Sequence, residues 1–266
     1  MIDLKGHAAL ITGSTKGVGR SIAESYARAG CHVVIHGRAV GAASEEALQA
    51  CRSHGVEAHF VTGDLSGPTE AATAEVFDNA LAVRPDIDIL VNNAGTYIDD
   101  PYLELTHDTF EYTMRLNVAA PFFLTQRFAK HWIAAGVDGR VLMIGSINGR
   151  LAEEVHACYD TSKGAVEAMI KTLCVSLAPH NVRVNGLAPG LVRTPLTSII
   201  DENEDFADWM ELHTPNGKVP HSDVCGGGAV YLVSDDAWHV HGQLLLVDGG
   251  MSAWQQPDMP PHWKKR

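Results

Sequence analysis

Tyr159 and Lys163 stand four residues apart, and Ser146 lies thirteen positions before the tyrosine. On a helix, residues four apart share a face, which puts the Lys163 ammonium beside the Tyr159 phenol. A phenol with an ordinary pKa of about 10 exchanges protons poorly at neutral pH, and a neighbouring cation favours its phenolate. Ser146 follows the apolar run Val141 to Ile144, which reads as a buried strand. It therefore stands at a strand end, its hydroxyl free to hold a substrate oxygen. Together these groups suit a carbonyl or an alcohol. By itself a Tyr-x-x-x-Lys pair is also what an exposed helical tyrosine beside a solvated lysine looks like, so the elements around it decide.

Ala8 to Thr12 is apolar and strand-like, Gly13-Ser14-Thr15-Lys16-Gly17-Val18-Gly19 follows at once, and Ser21 to Ala29 reads as a helix ending at Gly30. Strand, glycine turn and helix come in the order a nucleotide phosphate site requires, because the helix start offers free N–H groups and a positive dipole end to pyrophosphate. A merely tight turn has the same glycines. The next strand, His32 to His36, ends at Gly37-Arg38, where a dinucleotide fold often places an acid on the adenosine ribose. Here Gly37 leaves space and Arg38 and Lys16 supply cations, which suits the 2′-phosphate of NADP; NAD stays possible, with Arg38 a solvated loop residue.

With these motifs in view, the chain resembles the short-chain dehydrogenase/reductases from about residue 4 to residue 252, in a subgroup similar to 3-oxoacyl reductases and sugar dehydrogenases. The matching positions are Thr12 to Gly19, Asp64, Asn92-Asn93-Ala94-Gly95, Asn117, Ser146, Tyr159 to Lys163, Pro189-Gly190 and Asp248-Gly249-Gly250. The resemblance implies a single Rossmann-like α/β domain over residues 1–252, a doubly wound parallel sheet of about seven strands with helices on both faces. It implies a cofactor site from Gly13, Thr15, Lys16, Gly17, Val18, Gly19, Arg38, Asp64, Leu65, Asn93, Ala94, Gly95, Tyr159, Lys163, Val192 and Thr194. Asp64-Leu65 would lie near the adenine, and Val192 and Thr194 at the nicotinamide carboxamide. It also implies Tyr159 as acid/base, Lys163 as the residue that holds the nicotinamide ribose and lowers the tyrosine pKa, and Ser146 as the group polarising the substrate oxygen. Asn117 would hold the water of a proton relay. Cys158 and Asp160, which flank the tyrosine, depart from the family's usual small residues.

The chain has 266 residues, 45% of them hydrophobic, ample for one α/β domain with a core on both faces of a sheet. Seven apolar runs fit its strands: Ala8 to Thr12, His32 to His36, Ala58 to Thr62, Ile87 to Asn92, Arg140 to Ile144, Val182 to Leu187 and Gln243 to Val247. A net charge of −12 speaks against nucleic acid, and the basic cluster Lys264-Lys265-Arg266 reads as a solvated tail. There is no signal-like segment and no run of membrane-spanning length. The five cysteines lack metal spacing, and the fourteen histidines read as loop and surface residues, so no metal and a cytoplasmic location are expected.

The substrate side is expected between Pro195 and about Pro220, a lid carrying Ile199, Ile200, Phe206, Trp209 and Met210 beside Asp201, Glu202, Glu204 and Asp205. An amphipathic helix packed on the body fits the same pattern. Tyr97 and His156 are candidates for lining the pocket with Ser146 and Tyr159. Glu153 and Glu154 suit either sugar hydroxyls or a solvated loop. Residues 253–266 form a tail whose tryptophans, Trp254 and Trp263, suggest docking on a neighbouring subunit; the resemblance implies a homotetramer, with a homodimer the simpler case. The expected function is hydride transfer between a nicotinamide and a secondary alcohol or ketone, a sugar or polyol first and a 3-oxoacyl thioester second. A nucleotide-binding regulatory protein without turnover is the alternative of another class.

Overall fold

A computed structural model describes residues 2–197 and 203–254. The seven apolar runs become β1 (Ala8–Ile11), β2 (His32–Gly37), β3 (Ala58–Thr62), β4 (Ile89–Asn92), β5 (Arg140–Ile144), β6 (Arg183–Pro189) and β7 (Leu244–Val247). They pair in one parallel sheet, ordered β3-β2-β1-β4-β5-β6-β7. Between them run α1 (Gly17–Arg28), α2 (Ala42–Arg52), α3 (Thr69–Val83), α4 (His107–Met114), α5 (Ala120–Ala135), α6 (Ala157–Leu177), α7 (Glu204–His213) and α8 (Val224–Val233).

Alternation along the strands divides the core into two layers. Ala9 and Ile11 of β1 face Ile22 and Tyr26 of α1, Leu48 of α2 and Ala229 of α8. Ala8 and Leu10 face the other way, with Val76 of α3, Phe128 and Trp132 of α5 and Ile170 of α6. Strands buried on both faces have no polar side to show, which is why their sequences read as continuous apolar runs. Trp132 is fully buried, and its indole N–H donates to the Ile87 carbonyl at 2.7 Å.

The chain order reverses at β1, whose neighbours are β2 and β4. The carboxyl ends of β1 and β4 therefore diverge around a crevice, the place where open α/β sheets bind ligands. Several boundaries differ from expectation. The first helix starts at Gly17, earlier than Ser21, its first turn closed by the Arg20 N–H donating to the Lys16 carbonyl at 3.3 Å. β6 runs on to Pro189, which closes its register opposite Val247.

In the expected lid, Asn203 caps α7 by accepting from the Phe206 N–H at 3.1 Å. Met210 is buried against Val219, while Trp209 stacks on Phe206 and remains partly exposed. Ile199, Ile200, Asp201 and Glu202 of that lid, and Trp263 with the rest of the tail from 255, lie outside the described residues. Among the described residues no helix is long and apolar enough to cross a membrane, and no three metal-ligating side chains gather.

Candidate active site

At the end of β1, Thr12 organises the crevice. Its hydroxyl donates to the Val91 carbonyl at 3.2 Å and accepts the Asn93 and Ala94 N–H groups at 2.9 and 3.0 Å. The Asn93 carboxamide returns the tie, donating to the carbonyls of Thr12 and Gly13. This close approach of two loops is what the glycines permit: a Cβ on Gly13, which sits at φ +61°, would lie 2.9 Å from Ala94 Cα, and one on Gly19 would overlap Asn93. Lys16 opens α1 with no side-chain cap, and the first turn holds no acid, so its N–H groups face the crevice as a dinucleotide pyrophosphate requires. Thr194 packs over Gly17 from the other side, and Val192 beside it is buried.

The end of the crevice where the resemblance implies the adenine is set by β2 and β3. Asp64 accepts from the Ser66 hydroxyl and N–H, and these bonds, with the charge of Arg38, hold its carboxyl below the usual range. Leu65 is buried beneath it. Arg38 and Lys16 are exposed. His36, which sequence reasoning passed over, is wedged between the two loops. Its Nδ1 accepts from the Gly13 N–H at 3.1 Å and its Nε2–H donates to the Gly63 carbonyl at 3.2 Å, so the tautomer is set by its partners. Burial pulls its pKa down to about 4.

Across the crevice, Asn117 lies on a π turn, Arg115–Ala119, that joins α4 to α5. Such turns often mark functional positions. Its Oδ1 accepts from the Thr96 N–H at 2.8 Å, and its Nδ2 donates to the Thr96 carbonyl and to Ser162 Oγ at 2.9 and 3.0 Å. Both amide hydrogens are thereby committed, and the side chain braces the β4 loop against α6.

Tyr159 and Lys163 share a face of α6, as their spacing predicts; the ammonium lies 5.5 Å from the phenol ring centroid. Lys163 is buried, donates to the Ile144 carbonyl at 3.0 Å, and is pulled down by burial to about 8. Ser146 lies close enough to the phenol to pull its pKa down. Tyr159 is pushed up to about 12. Burial is the largest cause, the Ser146 hydrogen bond opposes it, and the charges of Asp160 and Glu153 add to it. The cation is near, as the spacing predicts, and loss of solvent around the phenolate is the largest influence on the phenol.

Beside the phenol stands an aromatic and acidic wall. The Tyr97 ring meets Tyr159 edge-on at 5.4 Å and His156 at 4.8 Å. His156 Nε2 lies 3.0 Å from both the Tyr97 hydroxyl and Asp99 Oδ1, and its Nδ1 is 3.4 Å from Glu153.

The family model described as enoyl-(acyl carrier protein) reductase matches residues 13–252. The chain belongs to the short-chain dehydrogenase/reductase family. It is accordingly an NAD(P)-dependent oxidoreductase that acts on CH–OH groups, transferring hydride between the nicotinamide and a secondary alcohol or ketone. Among relatives in the family, L-rhamnose 1-dehydrogenase (NADP(+)) of Thermoplasma acidophilum is 33% identical over 251 residues, 94% of this chain and 98% of that protein. Gluconate 5-dehydrogenase of Gluconobacter oxydans is 34% identical, covering 95% of this chain and 97% of that one. The crystal structure of a gluconate 5-dehydrogenase from Burkholderia cenocepacia in complex with NADP and tartrate superposes with a TM-score of 0.87 at 34% identity, over 95% of this chain and 98% of that one.

In this short-chain dehydrogenase/reductase fold, Gly13 and Gly19 approach the Asn93–Ala94 loop, Gly17 approaches Thr194, and the Arg38 charge reaches Asp64. Asn117, Ser146, Tyr159 and Lys163 close the far end of the crevice. Asn148, Asp99 and Asp160 join them without having been assigned a role from sequence. Their only signal there is nearness to Ser146, to Tyr97 and to Tyr159.

Proposed function

We propose that the chain is an NADP-preferring dehydrogenase of a sugar or polyol, working in the cytoplasm as a homotetramer, with Tyr159 as its acid/base. The observation that carries the substrate class is the wall of Tyr97, Asp99, Glu153 and His156 beside the phenol, a set of donors and acceptors suited to a polyhydroxylated chain. The names of the two sugar and sugar-acid dehydrogenase relatives support the same class. The missing acid after β2, with exposed Arg38 and Lys16 in its place, supports NADP, as does the NADP held by the similar Burkholderia structure. Apolar side chains left exposed on α5 and at the end of the sheet, Phe122, Phe123, Trp238 and Leu245, support self-association.

When bound, the nicotinamide supplies or accepts the hydride. The chain's own part is to hold and protonate the oxygen. The Ser146 hydroxyl donates to the substrate oxygen and aligns it with the Tyr159 hydroxyl. In reduction the neutral phenol gives its proton to the oxygen as negative charge develops there. In oxidation the phenolate takes that proton from the alcohol. Lys163 stabilises the phenolate from the ring side and holds the ribose, while the lid excludes water.

The test is a spectrophotometric screen of NADPH and NADH against sugars, polyols, aldonates and 3-oxoacyl thioesters. Turnover with a sugar or polyol and NADPH supports the reading. Turnover confined to the thioesters replaces it with a 3-oxoacyl reductase. NADPH binding with silence across the panel returns the nucleotide-binding regulator.

A further inference from the structure

Ser146 is held by a carboxamide that is itself held by α6. Asn148, buried, donates through Nδ2 to Asp160 Oδ1 at 3.0 Å and to Glu153 Oε1 at 3.1 Å, with His156 Nδ1 at 3.5 Å. Both carboxylates only accept, so the amide nitrogen faces them and Asn148 Oδ1 accepts from the Ser146 hydroxyl at 3.4 Å. The Asn148 main-chain N–H donates to Ser146 Oγ at 3.1 Å. The second oxygen of Asp160 accepts the Glu153 N–H at 3.0 Å. One carboxylate, next in chain after Tyr159, thus grips the segment between Ser146 and His156 at two points, and that segment grips Ser146.

We propose that Asp160 and Asn148 form a clamp that sets the Ser146 hydroxyl against the Tyr159 phenol, making both of them positioning residues for the reaction. The inference rests on the reading of Ser146 and Tyr159 as catalytic. Ser146 Oγ is fixed from both sides, accepting the Asn148 N–H at 3.1 Å and donating over a long 3.4 Å bond to Asn148 Oδ1; when a substrate oxygen enters, that long bond gives way and the proton turns to the substrate. Tyr159 and Asp160 are neighbours on one rigid helix, so the clamp references the serine to the same element that carries the phenol. Residues 150–154 are exposed, and Arg150 ties the same segment to Glu167 of α6 by two hydrogen bonds of 2.9 Å. The clamp also adds negative charge at the phenol. The groups facing Tyr159 are Asp160 and Glu153, whose charges raise its pKa, Ser146, which lowers it, the Lys163 ammonium at the ring, and the rings of Tyr97 and His156.

The experiment uses the full chain with NADPH and the best substrate from the screen. Asp160→Ala and Asn148→Ala are each expected to lower kcat about ten- to a hundredfold, as loss of a charge-assisted hydrogen bond does. NADPH affinity should hold within about twofold. The double variant should be no slower than the slower single one, because the two act as a unit. Asp160→Asn keeps an acceptor and removes the charge. It should recover part of kcat and move the alkaline rise of alcohol oxidation to lower pH, a readout that a merely structural role would not move; it also serves if Asp160→Ala does not fold. Full kcat in Asp160→Ala, additive losses in the double variant, or an unmoved pH profile in Asp160→Asn would overturn the clamp. Tyr159→Phe, assayed alongside, separates the failures: retained turnover there overturns the catalytic reading itself, and loss there with an intact Asp160→Ala overturns the clamp alone.

Discussion

The Lys163 ammonium sits at the Tyr159 ring, 5.5 Å from its centroid, yet the phenol is pushed up to about 12. At neutral pH the tyrosine is therefore a proton donor. Carbonyl reduction should run well at pH 7, whereas alcohol oxidation, which needs the phenolate, should keep rising through pH 10. Initial rates in both directions from pH 6 to 10.5 check this. An oxidation rate that levels off near pH 7 would mean a phenol with a much lower pKa.

Replacing Tyr159 with Phe keeps the ring packed against Tyr97 and removes the exchangeable proton. Turnover should fall by at least about a hundredfold with NADPH affinity little changed. Steady-state rates and a fluorescence titration of NADPH give the two numbers.

Arg38→Asp places a carboxylate at the end of β2, near Asp64. Repulsion of the 2′-phosphate should move the ratio of NADPH to NADH affinity toward NADH by about ten- to a hundredfold. An unchanged ratio of dissociation constants would remove Arg38 from that role.

His36 connects the glycine turn to the end of β3, and burial lowers its pKa from 6.5 to about 4. Between those values the unfolded chain takes up a proton that the folded chain refuses. Its contribution is thus present above pH 6.5 and lost as pH falls through 4. His36→Leu should flatten that part of the stability curve and weaken NADPH binding about tenfold, since the Gly13 N–H loses its acceptor. Urea denaturation at pH 7, 6, 5 and 4 reads the slope; an identical slope in the variant would assign it to other groups.

Trp132→Ala deletes a fully buried indole and strands the Ile87 carbonyl it serves. About 3–5 kcal/mol of stability should be lost, measured by urea denaturation, without change in NADPH affinity for the fraction that folds.

The sheet was legible because parallel strands covered on both faces are mostly apolar, as in Val33 to Ile35 and Ile89 to Val91. The glycine turn and the Tyr159–Lys163 spacing were legible because each is a local pattern with a geometric meaning. What escaped is long-range or energetic. His36 finds Gly63 only across β2 and β3, and Asn148 finds Asp160 only when its segment folds back on α6. The direction of the Tyr159 shift depends on how much solvent the surrounding loops remove, a quantity that spacing along one helix does not contain.

The π turn at Arg115–Ala119 inserts one residue more than an α-helix needs between α4 and α5. Deleting a residue there would restore an unbroken ladder of hydrogen bonds, yet turn Asn117 by about 100° away from Thr96 and Ser162. A smoother helix would then be a misaligned hinge pin: the loop after β4 and the helix carrying Tyr159 would keep their own structures but lose their common alignment.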